Sequence, residues 1–332
     1  ELCRQVTCVA IKHLIVLDQS EYNLYSIEKE LQESRPELQL TCELGDICDE
    51  AGMEHLFRCY QPDVVFHAAA YKHVPMLEDK VREAVRNNII GSWNVARLAD
   101  RFACSDFVMV STDKAVNPGN IMGATKRVAE IICQTLDERS TTRFITTRFG
   151  NVLGSAGSVV PLFKDQIQNG GPVTVTDEGI TRYFMTISEA CRLILQTTVM
   201  GNGGEIFVLD MGEPVKVLYL AEQMIRLSGK IPGEDIKIEF TGLRPGEKLH
   251  EELFHTDENL TDTSHEKVML AMCRKTDWNT LTRTMDEFRT AVDEFDMAAL
   301  KSLILALVPE MTQNSGEIEN AAASPVVAAS GE

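Results

Sequence analysis

His13-Leu-Ile-Val-Leu-Asp18 is a short apolar run ending on an acid, and its repetition decides the fold. Four more runs of this kind follow, at Leu38–Leu44, Asp63–Ala69, Asp106–Thr112 and Arg143–Gly150. Between them Glu21–Gln32, Asp49–Tyr60, Lys80–Phe102 and Asn120–Leu136 carry apolar residues at three- and four-residue spacing, the pattern of amphipathic helices. Alternating short strands and longer helices are the signature of βαβ units. Residues 1–150 are therefore expected to form an α/β, doubly wound parallel (Rossmann) sheet. After Gly150 come Gly-rich loops, strands at Pro172–Thr176, Ile206–Asp210 and Ile236–Phe240, and helices at Ser188–Val199 and Val217–Ser228. They predict a smaller mixed α/β lobe, a substrate-binding lobe over 151–312 with some segments returning to the first domain. Trp278–Leu307 reads as two amphipathic helices, and residues 313–332, with almost nothing to bury, as a disordered tail.

The 332 residues, 44% hydrophobic and 25% charged, suit a folded chain with a sizeable core and exclude a disordered or collagen-like one. A net charge of −18 opposes non-specific attraction to nucleic acid or anionic membrane, so an anionic ligand needs a local basic cluster. No run approaches the ~18–20 apolar residues of a membrane span. Nine cysteines without a Cys-x-x-Cys pair suggest neither a metal site nor a secreted disulfide framework, and point to a cytoplasmic location. Cys104, Cys133 and Cys191 read as core residues. The chain opens as if in mid-helix, and the glycine-rich loop that cradles a dinucleotide's phosphates is absent from it. Its first Rossmann strand and that loop are accordingly expected to be missing, a truncation that leaves NAD binding by this chain open.

Several residues have the right type and place for chemistry. Asp18, at a strand's carboxyl end, suits the two hydroxyls of an NAD ribose and disfavours NADP, or else caps the helix from Glu21. Asp46 and Ile47 follow the next strand, where an adenine edge would be read. His67-Ala-Ala-Ala70, with Ala68 and Ala69, lets a flat ring approach the backbone, or simply makes a tight turn; Lys72 follows it, and His73 is set aside as structural. The densest group is Ser111-Thr112-Asp113-Lys114, after a strand, where a hydroxyl, an acid and an amine would orient substrate and move protons, or else build a solvated turn. Met122 and Lys126 lie one turn apart on the next helix.

That last spacing resembles the Tyr-x-x-x-Lys of extended short-chain dehydrogenase/reductases, with Met122 in place of the Tyr. Val110-Ser-Thr-Asp-Lys-Ala-Val-Asn-Pro118, Met122-Gly-Ala-Thr-Lys-Arg127, Thr147-Arg-Phe-Gly-Asn-Val-Leu-Gly-Ser155, Thr181-Arg-Tyr-Phe-Met-Thr186 and Leu243-Arg-Pro-Gly-Glu-Lys-Leu249 resemble, in order, the polysaccharide-biosynthesis UDP-N-acetylglucosamine 4,6-dehydratases. The Met is similar to their large, membrane-tethered branch. This resemblance implies an NAD-dependent enzyme acting on a UDP-sugar, homo-oligomeric through the helices Lys80–Phe102 and Asn120–Leu136, in the synthesis of surface polysaccharide such as capsule or lipopolysaccharide.

It also implies roles. Thr112 would bond the sugar near its 4-hydroxyl, Asp113 would be the acid for the departing hydroxyl, and Lys114 the base at carbon 5, its pKa lowered by burial or by Lys126. Lys126 would hold the nicotinamide ribose, and without a Tyr the 4-hydroxyl would lose its proton to Asp113 or a bound water. Arg148, Asn151, Arg182, Arg244 and Lys248 would bind substrate, the cations at the diphosphate. Asn88 has a cofactor role by resemblance and an equally good structural one as a polar core residue. A carbon-4 epimerase of the same superfamily and a non-catalytic nucleotide-binding module are the rival readings. The adjacent acid and amine at 113 and 114 weigh against the first, and retention of Thr112, Asp113, Lys114 and Lys126 together against the second.

Overall fold

Each expected strand of the first half forms, the later ones trimmed where the chain turns toward its helix. The computed structural model describes residues 1–155, 157–254, 260–271 and 276–311. The tail at 313–332 and Cys273 lie outside them. β1 (His13–Asp18) and β2 (Gln39–Leu44) pair in parallel as a two-stranded sheet. β3 (Val64–His67), β4 (Asp106–Val110), β5 (Arg143–Arg148) and β6 (Ile206–Leu209) run parallel in a second sheet. β7 (Leu260–Asp262) and β8 (Val268–Ala271) complete it as antiparallel strands, giving the order β7-β8-β6-β5-β4-β3. Among the described residues no strand joins the two sheets.

Alternate residues of the central strands enter two cores, which is why apolar residues occupy adjacent positions along them. Phe107, Met109 and Phe144 face the helical layer that includes Val81–Arg101, Ile121–Asp137, Trp278–Asp293 and Met297–Leu307. Ile145, Phe207 and Leu209 face the helix Ile187–Met200 on the other side. Phe107 and Phe144 are fully buried with ring centroids 5.2 Å apart. Each contributes about 1.5–3 kcal/mol by burial.

Ile206–Leu209, within the strand expected at Ile206–Asp210, is one of the segments that return to the main sheet, where it lies beside β5 because its side chains are apolar on both faces and fully buried there. The lobe has its own core, in which the helices Val159–Gln168 and Val217–Leu227 cover the parallel pair Val173–Val175 and Ile238–Phe240. The first of those helices falls where the sequence suggested only Gly-rich loop.

The long helix expected over Lys80–Phe102 carries a π-helical stretch, Val85–Gly91. Gly91 is packed so closely on Ile47 that a Cβ would fall 2.6 Å from the Ile47 side chain. The helices expected to form an oligomer face are covered within the chain. Every residue from Ile121 to Leu136 is buried, with Trp278–Asp293 and Met297–Leu307 packed on that helix. No helix among the described residues is long and apolar enough to cross a membrane.

Candidate active site at the carboxyl edge of the sheet

β4 and β5 end at a cavity of about 510 Å³ lying between the sheet and the smaller lobe. The fold places it there because parallel strands expose their carboxyl ends where the following loops diverge. Thr112, Lys114, Met122, Lys126, Ala68, Lys72, Asn151, Arg182 and Arg244 all line it. Met122 and Lys126 project into it together, as their one-turn spacing requires. Gly123 makes this possible. A Cβ there would lie 2.0 Å from the Lys114 carbonyl oxygen, so only glycine lets the helix start against the Thr112–Lys114 turn.

Lys114 Nζ bonds Asp113 Oδ1 at 3.0 Å and Asn151 Oδ1 at 3.2 Å, and sits 3.4 Å from Glu251 Oε1. Burial pulls the ammonium's pKa down, but Asp113 and Glu251 outweigh it, and the pKa stands above the ordinary lysine value. This corrects the expectation of a depressed Lys114. The depressed lysine is Lys126, brought down to about 8 by desolvation, with its Nζ donating to the Val110 carbonyl at 2.7 Å. His67, beneath the same edge, bonds Ser92 at 2.8 Å and is pushed to about 3 by burial and then by Lys126.

Asp113, expected as the acid, is not among the residues lining the cavity, and its buried carboxylate accepts from the Thr112 hydroxyl at 2.8 Å as well as from Lys114. Arg148 is also corrected. It is 1% exposed and forks onto Glu130, Nε to Oε1 and Nη2 to Oε2 each at 2.7 Å, below the cavity floor. Glu130 further accepts from Ser111 at 2.6 Å and Arg127 at 3.0 Å. Lys248 lies outside the cavity, with Glu252 at 3.3 Å.

Asn88 is fully buried and braces the turn after β3. It accepts from Tyr71 N at 2.8 Å and donates to Tyr71 O and Thr125 at 3.0 Å, which assigns it the structural alternative. Ile47 is packed in the core, and Ala68 and Ala70, but not Ala69, line the cavity.

Asp46 is held by Cys48 N at 2.9 Å and by Arg86 at 3.0 Å. Burial opposes its charge, but these bonds together hold its carboxyl below the usual range. Asp18 accepts from Ser20 N at 2.8 Å, and Ser20, not Asp18, caps the helix from Glu21. Asp18, partly exposed at the end of β1, and Lys126 with Ala68 fit the ribose and nicotinamide ends of a dinucleotide. A glycine-rich phosphate cradle is not among residues 1–332.

Sequence reasoning missed Glu247, Glu251 and His73, all of which line the cavity. Glu247 pairs with Arg182 at 3.3 Å and Arg244 at 3.2 Å, and Glu251 pairs with Arg182 at 3.8 Å. The loop carrying both carboxylates is docked by Gly246, whose carbonyl accepts from Asn120 at 3.0 Å. Its φ of +74° and a would-be Cβ 2.8 Å from Asn120 leave room only for glycine. The spacing of charges in Arg244–Glu252 gave a signal for paired ions, but not for which partners they would find.

Residues 1–273 match the family described as polysaccharide biosynthesis protein. The chain belongs to this family. Among its curated relatives, the probable polysaccharide biosynthesis protein EpsC of Bacillus subtilis is 46% identical over 95% of this chain and 52% of its own length. The chain thus spans about half the length of the curated relatives it matches first. A UDP-glucose 4-epimerase of Rickettsia bellii is 34% identical over 75% of this chain and 73% of its own. The UDP-N-acetylglucosamine 4,6-dehydratase (inverting) of Campylobacter jejuni is 35% identical over 65% and 63%. Among solved structures, Pen from Bacillus thuringiensis superposes with a TM-score of 0.74 at 33% identity, covering 83% of this chain and 84% of that one. A double mutant of DesIV, a dTDP-glucose 4,6-dehydratase from Streptomyces venezuelae with NAD and DAU bound, shares the fold at a TM-score of 0.67 and 21% identity, over 76% and 83%.

Proposed function

We propose that this chain is the catalytic part of an NAD-dependent nucleotide-sugar 4,6-dehydratase acting on UDP-N-acetylglucosamine, in the synthesis of surface polysaccharide. The observation that carries this reading is the convergence of Thr112, Lys114 and Lys126 on one cavity that Arg182 and Arg244 also line. When bound, NAD supplies the hydride acceptor for carbon 4 of the sugar and the hydride donor for carbon 6. Asp18, Ala68 and Lys126 would hold it, Lys126 at the nicotinamide ribose.

The Thr112 hydroxyl bonds the sugar near its 4-hydroxyl, whose proton passes to a bound water as carbon 4 is oxidised. A solvent proton reaches carbon 5 when hydride returns to carbon 6, and Asn151 reaches the sugar as an amide. Arg182, Arg244 and Lys72 face the diphosphate. Lys114, in the neutral form that the step requires, takes the proton from carbon 5, which the 4-ketone acidifies, and returns it to the hydroxyl leaving carbon 6, so that water departs and the neutral amine is regenerated. Asp113 holds Lys114 and Thr112 in place for this transfer. Residues 1–150 serve as the cofactor domain and 151–312 as the substrate lobe, apart from the segments that return to the main sheet and its helical layer.

The likeness to UDP-glucose 4-epimerases favours carbon-4 epimerisation as the second reading. Proton NMR of UDP-N-acetylglucosamine turned over in deuterated water by the full-length protein with NAD separates the two. A new methyl signal with deuterium at carbon 5 is expected. A carbon-4 epimer without a methyl would replace the dehydratase reading, and unchanged substrate with a folded, ligand-binding protein would reject both.

A further inference from the structure

Glu251 is a buried carboxylate in the cavity wall, its side chain 4% exposed. It lies beyond the last small strand of the lobe, yet its Oε1 is 3.4 Å from Lys114 Nζ and 3.8 Å from Arg182 Nε. It therefore ties the turn after β4 to the Thr181–Arg182 strand of the lobe, across the space a substrate would enter. Lys114 meets Asp113 from its own turn, the Asn151 amide after β5, Glu251 from the docked loop, and Arg182 as the nearby cation. Of the two carboxylates, only Glu251 lines the cavity.

We propose that Glu251 is a positioning residue for the elimination step: bridging Lys114 and Arg182, it fixes where the Lys114 amine points. This rests on the dehydratase reading for the step itself, but the tie to Lys114 is a property of the chain alone. An anion within hydrogen-bonding range raises an amine's pKa by about 1–3 units, so neutralising Glu251 frees the Lys114 amine at lower pH.

Two measurements on the full-length protein test it. The first needs no substrate: competitive acetylation of Lys114, quantified by mass spectrometry across pH. Glu251→Gln should move the reactivity curve down by at least about one pH unit, making Lys114 about tenfold more reactive at a fixed pH on its rising limb. An unmoved curve overturns the proposal. The second measurement follows turnover. In Glu251→Gln the pH limb should move down in step with the acetylation curve, and the release of carbon-5 deuterium should slow more than the oxidation at carbon 4, with Glu251→Asp restoring part of the difference. Equal slowing of both steps with an unmoved limb would show a merely structural role and overturn the proposal. Should Glu251→Gln fail to fold, Glu251→Asp carries both tests, with a smaller shift expected in the same direction. A wild-type protein that yields no dehydrated product, with the acetylation shift present, would reject the dehydratase reading and leave the tie to Lys114 standing.

Discussion

Replacing Arg148 with methionine removes the cation that Glu130 faces beneath the cavity. Glu130 and Arg148 are 0% and 1% exposed, and two bonds of 2.7 Å join them. Breaking a buried pair by deleting one partner costs about 3–5 kcal/mol, since the remaining charge is left in a poorly solvating interior. Here Glu130 keeps Ser111 at 2.6 Å and Arg127 at 3.0 Å, which places the loss near the lower end, about 3 kcal/mol. Urea unfolding followed by circular dichroism measures it. Replacing both partners, Arg148→Met with Glu130→Leu, should be less destabilising than Arg148→Met alone, because no unpaired anion remains.

The pH dependence has a definite sign. Burial opposes the Glu130 charge, but Arg148 and the other donors hold its pKa below the usual value. Its contribution is present above the ordinary glutamate pKa and is lost as pH falls through the depressed one, so the gap between wild type and Arg148→Met should narrow in acid. A single variant losing under about 1 kcal/mol, or a double variant losing the sum of the two singles, would refute the assignment of Arg148 to this pair. So would loss of nucleotide-sugar affinity in Arg148→Met without loss of stability.

Gly123→Ala should slow turnover about a hundredfold, since its Cβ would fall 2.0 Å from the Lys114 carbonyl oxygen and push the Met122–Lys126 face away from Lys114; steady-state rates on verified folded protein check this. Asn88→Ala strands the backbone N–H and C=O of Tyr71, and should cost about 1–3 kcal/mol in urea unfolding and speed hydrogen exchange at Tyr71 N. Lys126, depressed to about 8 from 10.5, binds its proton less readily folded than unfolded, so wild type should gain on Lys126→Met by roughly 3 kcal/mol between pH 7 and 10.5, read from unfolding midpoints across that range.

Much of the frame was legible in the sequence because it rests on local periodicity. The apolar runs beginning at His13, Asp63, Asp106 and Arg143 became parallel strands, as short runs alternating with amphipathic helices do in βαβ units. The Met122-to-Lys126 spacing put both side chains in one cavity, because a helix turn fixes that relation whatever surrounds it. Thr112 and Lys114 were legible for a similar reason, as a polar cluster after a strand faces the carboxyl edge.

What the sequence left open depends on partners far along the chain. Arg148 reads as a free cation until β5 is seen to deliver it to Glu130, eighteen residues earlier on a neighbouring helix. Asn88 reads equally as a cofactor residue or a polar core residue, and only the fold brings its amide to the turn at Tyr71. The placement of Ile206–Leu209 in the main sheet, and the covering of the Ile121–Asp137 helix by the last two helices, were likewise decided by assembly. The same holds for protonation. Which lysine is depressed follows from which carboxylates the fold brings within about 4 Å: Lys114 acquired Asp113 and Glu251, whereas Lys126 met a carbonyl and the apolar interior. Sequence determines which groups a strand end or helix face presents, while the long-range contacts of the tertiary structure determine their charge and what they can touch.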